Sequence, residues 1–382
     1  GGGGGGGAEE VEGNVLDRTH SDMAMEEILQ FDRFGFSIDS PTAAVAPRPG
    51  VLKEEPRSRA WQRIRVQLLE EGQLKRSREL KLLVRGGVPE SIRGRVWLAL
   101  SGADSLRAKY PRNYYQELVS CPSFKERTVA TGEIEKDLLR TFPGHRMFRE
   151  EEGISALRRI LVAYSLHNTE VGYCQSLNLL AALLLLFLDE VEAFWVLDAV
   201  LATLLPRGYH SAAGIAGVIA DQACLRELLV QRLRKVGRRL DALGADWEVV
   251  TSEWFLSLFV NCLPLETTLR VWDVFFHDGS TALFRVALAL VGRAEAVLLD
   301  TSESSEIGNA TDALVLLQAV AAGAAGAGEL VREAFATPRT RVTPQQLARL
   351  RKTHAPFLDN PSATAGGVEA QDHVTEAGQR AT

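Results

Sequence analysis

A chain of 382 residues with 46% hydrophobic content is long enough to bury one large core or two medium ones, and too apolar to remain disordered. Its 43 basic and 49 acidic residues give a net charge of -6 and are mixed along most of the sequence, which leaves no electrostatic footprint for nucleic acid or an anionic membrane. The cysteines, Cys121, Cys174, Cys224 and Cys262, stand far apart with no CxxC pair, which argues against a zinc site or disulfide framework and fits a reducing cytosol.

Residues 1–50 read as a flexible, glycine-rich leader without a secretory-signal pattern. Inside it lies one apolar island, FDRFGF at Phe31 to Phe36. Three phenylalanines are costly to leave in water, so the island is a candidate to dock back onto the folded part. From about residue 51 to 359 the pattern is helix after helix, and the expectation is a single all-α domain. Trp61, Ile64 and Leu68 share one face before a stop at Gly72. Pro89 and Glu90 suit the first turn of a helix whose Ile92, Val96, Trp97 and Leu100 point inward and which ends at Gly102.

Ile154, Leu157, Ile160, Leu161 and Tyr164 make another apolar stripe, closed by His167 and Asn168. The longest apolar run, Leu177 to Leu188, is far shorter than the ~20 residues needed to cross a bilayer and reads as a buried core helix. Trp254, Phe255, Leu258 and Phe259 precede Pro264, and LRVWDVFF then runs to a stop at Asp278 and Gly279. Ala319 to Leu330 is expected to be a frayed helix or a loop, because its glycines each cost a helix about 1 kcal/mol. Thr343, Pro344 and Gln346 open a capped helix, and residues 360–382 read as a disordered tail.

Much familiar chemistry is missing. There is no GxxxxGK[ST], so the chain is not expected to bind nucleotide by itself, and GxSxG, HExxH and the kinase HRD/DFG set are absent as well. Any chemistry must come from isolated side chains acting on something the protein binds.

Two segments stand out. In IEKDLLRTFP, Ile134, Asp137 and Arg140 share a helical face, so Asp137 can hold Arg140, and Thr141 to Gly144 then breaks the helix and leaves Arg140 at its end. On spacing alone, the commoner reading is an ordinary surface ion pair worth about 0.3 kcal/mol. In VGYCQSLN, a turn at Gly172 leads into the apolar helix, so Gln175 sits at the mouth of a buried helix. There the commoner reading is that Tyr173 packs and Gln175 helps to cap the helix. An uncharged Gln at such a mouth can also orient a water.

Taken with VRGGVPESIRGRVW (Val84 to Trp97), SEWFLSLFVNCLP (Ser252 to Pro264) and LRVWDVFFHDGSTALFRVALAL (Leu269 to Leu290), these segments resemble the TBC-domain Rab GTPase-activating proteins. Five ordered motifs carry that resemblance across most of the helical domain. The FDRFGF island, ALSGAD (Ala99 to Asp104) and FPGHRMFR (Phe142 to Arg149) look most like the growth-hormone-regulated TBC protein subgroup.

The resemblance implies a GTPase activator that works in trans, with Arg140 of IxxDxxR as an arginine finger and Gln175 of YxQ as a glutamine finger. Asp137 and Tyr173 match the residues that position these fingers. The implied partner is a Rab-family GTPase in its GTP-bound form, which carries the GTP and Mg²⁺. The protein needs no cofactor or metal of its own, binds no nucleic acid, and would reach vesicle or organelle membranes only through the lipid-anchored GTPase. Arg93 and Arg95 are read as structural or solvated, and Trp97, Trp254, Trp272 and Asp273 are given no chemistry.

One departure stands in the second motif, where the family usually has Gly after the glutamine and this chain has Ser176. Serine suits a helix start, so the expected shift is small. Two other readings remain. One is a TBC-like adaptor that binds a GTPase without activating it; the other is a cysteine hydrolase using Cys174 with His167 nearby.

Overall fold

A computed structural model describes residues 1–2, 30–37, 55–211, 214–302 and 305–355. Most of the glycine-rich leader and the whole of the tail expected from residue 360 lie outside the described residues. Among the described residues the protein is built of helices, seventeen of them α-helices, and the only extended pairings are isolated bridges from Phe31 to Ser37 and from Phe36 to His145. The all-α expectation therefore holds.

Local signals set several of the helix ends. Glu55–Glu71 stops at Gly72, whose φ of 66° suits glycine. Thr343 accepts a hydrogen bond from the Gln346 amide and Pro344 occupies the first turn of Pro344–His354. The Ala/Gly stretch is more ordered than its composition suggests: Ala310–Ala322 and Ala327–Ala336 are both helical, and only the segment from Gly323 to Gly326 breaks them. Buried Leu317, Ala321, Leu330 and Val331 explain this, because packing an apolar face outweighs a weak local propensity.

Two consecutive helices, Leu265–Asp278 and Thr281–Leu298, form the centre. Trp272, Phe275 and Phe276 are fully buried, and Trp97 from the helix Arg93–Ser101 lies 5.7 Å from Trp272 and 5.3 Å from Phe276. Asp273 is buried among these rings and accepts from Arg93 Nε at 3.1 Å, Trp97 Nε1 at 2.9 Å and the Val88 amide at 3.2 Å. Burial raises its carboxyl above the ordinary range, against the opposing pull of Arg93 and Arg270. The Val84–Trp97 and Leu269–Leu290 motifs are thus one structural joint, and Arg93, Trp97 and Asp273 are its parts. Arg95 instead makes an exposed pair with Glu192 at 2.8 Å.

A second buried pair closes the C-terminal side, where Arg351 donates two 2.7 Å hydrogen bonds to Asp221 and ties Pro344–His354 to Ala216–Arg232. Upstream, the phenylalanine island does dock. Phe36 is completely buried, edge-on to Phe142 at 5.4 Å. Residues 30–37, read from sequence within a flexible leader ahead of a domain starting at 51, thus pack against the helical body.

Candidate functional site

Arg140 stands two residues beyond the helix Val129–Leu138, which Thr128 caps through a reciprocal bond with Thr131. The helix yields to a turn, with the Arg140 amide donating to Asp137 O at 3.2 Å and the Thr141 amide to Leu138 O at 3.1 Å. This turn carries the Arg140 side chain outward, where it is 62% exposed. Its ion-pair partner among the described residues, Asp137, is only 4% exposed. The two residues therefore do not form the ordinary surface pair that spacing alone suggests, because one partner is part of the interior.

Across from this turn, the long helix Glu151–His167 ends at Asn168, and the chain reverses through Gly172 at φ 55°. It then enters the buried helix Leu177–Leu185. Tyr173 is buried and donates its hydroxyl hydrogen to Asp137 Oδ2 at 2.5 Å. Burial, reinforced by that carboxylate, pushes the Tyr173 phenol well above its ordinary value, so it remains a donor at any working pH. One carboxylate thus receives Arg140 on one oxygen and Tyr173 on the other.

A second tie runs in parallel. Asn178 Nδ2 donates to Thr141 Oγ1 at 2.7 Å, and Thr141 Oγ1 donates to Asp137 O at 2.6 Å. Sequence reasoning assigned nothing to Thr141 or Asn178. The available signal was Asn178 itself, a lone amide in an otherwise apolar helix, which needs a buried partner. Gln175 lies in the turn between these anchors, exposed and with no side-chain hydrogen bond among the described residues. The structure therefore brings the segments of all four candidate residues together, with Asp137 and Tyr173 buried and Arg140 and Gln175 turned to solvent.

Each of the two exposed side chains has a non-glycine left-handed residue close by, while the other three such residues, Leu258, Phe259 and Asn261, lie elsewhere. Among the described residues, five non-glycine positions have positive φ. Phe142, at 46°, is two residues after Arg140, and Ser176, at 83°, directly follows Gln175. Such positions cost about 1 to 3 kcal/mol and persist only where the surroundings dictate them. Ser176 does not behave as the expected helix-start serine, since its side chain makes no capping bond and its backbone is left-handed. Glycine adopts that conformation without a Cβ penalty, which gives a physical reason for glycine at this place in the motif.

The Gln175 turn is also held from its other flank. Arg207 forms a two-pronged pair with Glu170, at 3.3 and 2.9 Å, and Ser211 Oγ donates to Glu170 O at 3.1 Å. Nothing in the geometry favours Cys174 as a nucleophile, because burial raises its thiol pKa. His167 is engaged elsewhere, by the Tyr114 hydroxyl at 3.0 Å and by Asp198 at 3.4 Å. Among the described residues no cluster of three His, Cys, Asp or Glu side chains could hold a metal ion. No single described helix is long and apolar enough to cross a membrane.

The Rab-GTPase-TBC domain profile matches residues 90–299, which include all four candidate residues. The human growth hormone-regulated TBC protein 1 is 40% identical over 245 residues, covering 63% of this chain and 71% of that protein. The bovine small G protein signaling modulator 3 is 36% identical over 301 residues, and the alignment covers 74% of this chain but 39% of that longer protein. Among solved structures, the Chlamydomonas flagellar RabGAP TBC domain superposes with a TM-score of 0.64 at 30% identity, over 80% of this chain and 99% of that one. The Ypt/Rab-GAP domain of Gyp1p, at 16% identity and a TM-score of 0.58 over 73% of this chain and 98% of its own, shares the fold.

Proposed function

The chain belongs to the Rab-GTPase-TBC domain family, and from that premise we propose that it accelerates GTP hydrolysis on a GTP-bound Rab GTPase by presenting Arg140 and Gln175 in trans. The observation that carries the reading is the Arg140–Asp137–Tyr173 chain, which joins two sequence-distant turns through one buried carboxylate and leaves a largely exposed guanidinium and an exposed carboxamide at the surface. Hydrolysis of GTP needs positive charge where the transferred phosphoryl group gains negative charge, and an attacking water held in line with it. Arg140 would supply the charge. Gln175 would orient the water.

Asp137 would set the direction of the guanidinium without discharging it, since Tyr173 shares the load on the carboxylate. Pre-ordering of this kind matters because an Arg that must be ordered on binding loses part of its effect to entropy. An arginine finger in trans is worth roughly 10³ to 10⁵ in rate, or about 4 to 7 kcal/mol of barrier. The GTP and Mg²⁺ would be carried by the GTPase.

Single-turnover GTP hydrolysis over a Rab panel is the direct test. In many GTPases the water is oriented by a glutamine of the GTPase itself. A cognate Rab with that glutamine replaced by leucine should still be hydrolysed when this protein is added, and Gln175→Ala should lose most activity toward an unaltered Rab. Resistance of the leucine Rab together with an active Gln175→Ala protein would reduce Gln175 to a helix-start residue. Tight binding of GTP-loaded Rabs with no acceleration of any of them would identify an adaptor instead.

A further inference from the structure

We infer that the phenylalanine island, residues 31–37, is a positioning element for the candidate finger loop: it clamps residues 142–146 and so fixes where Arg140 is presented. The inference rests on the proposed role of Arg140 and adds a part of the chain that lies more than a hundred residues upstream of it. The island is a small self-contained turn. Asp32 Oδ1 accepts from the amides of Phe34 and Phe36, both at 2.9 Å, while the Asp32 amide donates to Phe36 O at 2.7 Å.

Its contacts fall on the loop after Arg140. The Ser37 amide donates to Gly144 O at 2.8 Å, the Arg146 amide donates to Gly35 O at 2.9 Å, and His145 bonds Phe34 O through Nε2 at 2.7 Å. Since the Met147 amide donates to His145 Nδ1, Nε2 is the protonated nitrogen, and the ring is locked between island and loop. Phe36 inserts between Phe142 and His145, with ring centroids 5.4 and 4.7 Å away. Gly35, at φ 94°, leaves room for the His145 and Arg146 side chains, since a Cβ there would sit 2.8 Å from His145 Nε2. At its outer edge Arg33 pairs with Glu266 at 2.8 Å.

Phe142 connects this clamp to the finger. Its left-handed backbone, two residues after Arg140, is an unfavourable conformation that needs outside support. Part of that support is the Phe36 ring. The loop is thus held at its start by Asp137 and Asn178 and farther on by the island, with Arg140 in the first part of this held stretch. Removing the island frees the far end and lets Phe142 relax toward an ordinary conformation. Arg140 then loses its preset direction without losing its charge.

The test uses the full chain carrying Phe36→Ala, which empties the clamp, and separately Asp32→Ala, which unravels the island's own turn and leaves the helical body untouched. In both, the single-turnover rate at saturating protein should fall about tenfold or more, with the half-saturating concentration for GTP-loaded Rab changed less than twofold. Amide exchange of His145 and Arg146 should speed up at least tenfold, with exchange in Thr281–Leu298 unchanged. An unaltered rate, or faster exchange spread through the central helices, overturns the inference, the latter because the island would then be a general stabiliser. If no Rab responds to the unaltered protein, the proposed function fails by itself. The exchange pattern still decides whether the island holds the loop.

Discussion

Tyr173 and Asp137 are 36 residues apart in sequence, yet the phenol donates to the carboxylate at 2.5 Å in a buried setting. This one bond joins the turn that bears Arg140 to the turn that bears Gln175. Tyr173→Phe keeps the ring and removes the bond, so the fold should survive with a loss of about 1.5 to 3 kcal/mol, the usual range for a hydrogen bond to a charged group. GTPase acceleration should drop several-fold at unchanged Rab affinity. Asp137→Ala should cost more rate than Tyr173→Phe and less than loss of Arg140, because it removes the orienter and leaves the charge. Unchanged kinetics in both variants would make the network purely structural.

Arg140→Ala and Arg140→Lys should each lower acceleration at least a hundredfold. Lysine retains the charge but not the planar fork that can bridge phosphate oxygens while a second edge rests on Asp137. Because Asp137 is buried, Arg140→Ala, which strips it of its cation, should lower the melting temperature by a few degrees, whereas Arg140→Lys, which keeps a cation there, should lower it less. A lysine variant with most of its activity in single-turnover kinetics would remove Arg140 from the chemistry.

Ser176→Gly should stabilise the protein by about 0.5 to 1 kcal/mol, since the left-handed backbone at φ 83° penalises any Cβ and the hydroxyl makes no capping bond. Ser176→Ala should be nearly neutral, as it changes neither the strain nor a hydrogen bond. Chemical denaturation of the three proteins side by side distinguishes strain from a serine-specific role, which would show as a destabilised alanine variant.

His210 predicts a pH dependence. It is fully buried, its Nε2 bonds Leu256 O at 2.8 Å and its Nδ1 has no partner among the described residues. Burial brings its pKa down to about 4 from an ordinary 6.5. The unfolded chain therefore takes up the proton first as pH falls. The stabilisation is complete above about pH 6.5 and is lost progressively down to about pH 4, roughly 3 kcal/mol in all. His210→Gln, which keeps a donor and does not titrate, should flatten the stability profile between those limits relative to the unaltered protein. Parallel profiles would show that folding does not shift the His210 pKa.

The sequence by itself determined the helical class, several helix ends and the identities of the candidate residues. These depend on local quantities: the 3.6-residue apolar stripe from Ile154 to Tyr164, the proline at 344, the stop at Gly279, and a carboxylate three residues before an arginine. Periodicity says which residues share a face, but not what that face meets. The same spacing between Asp137 and Arg140 describes an exposed pair and a half-buried one, and only the packing of Tyr173 against the helix end decided between them. Docking of Phe36 on Phe142 and His145, the left-handed backbone of Ser176, and the ordering of both helices around Gly323 were likewise decided by the tertiary structure. In each case a distant surface supplied the burial or the hydrogen bond that local propensity did not, and such energies exist only once the chain has folded.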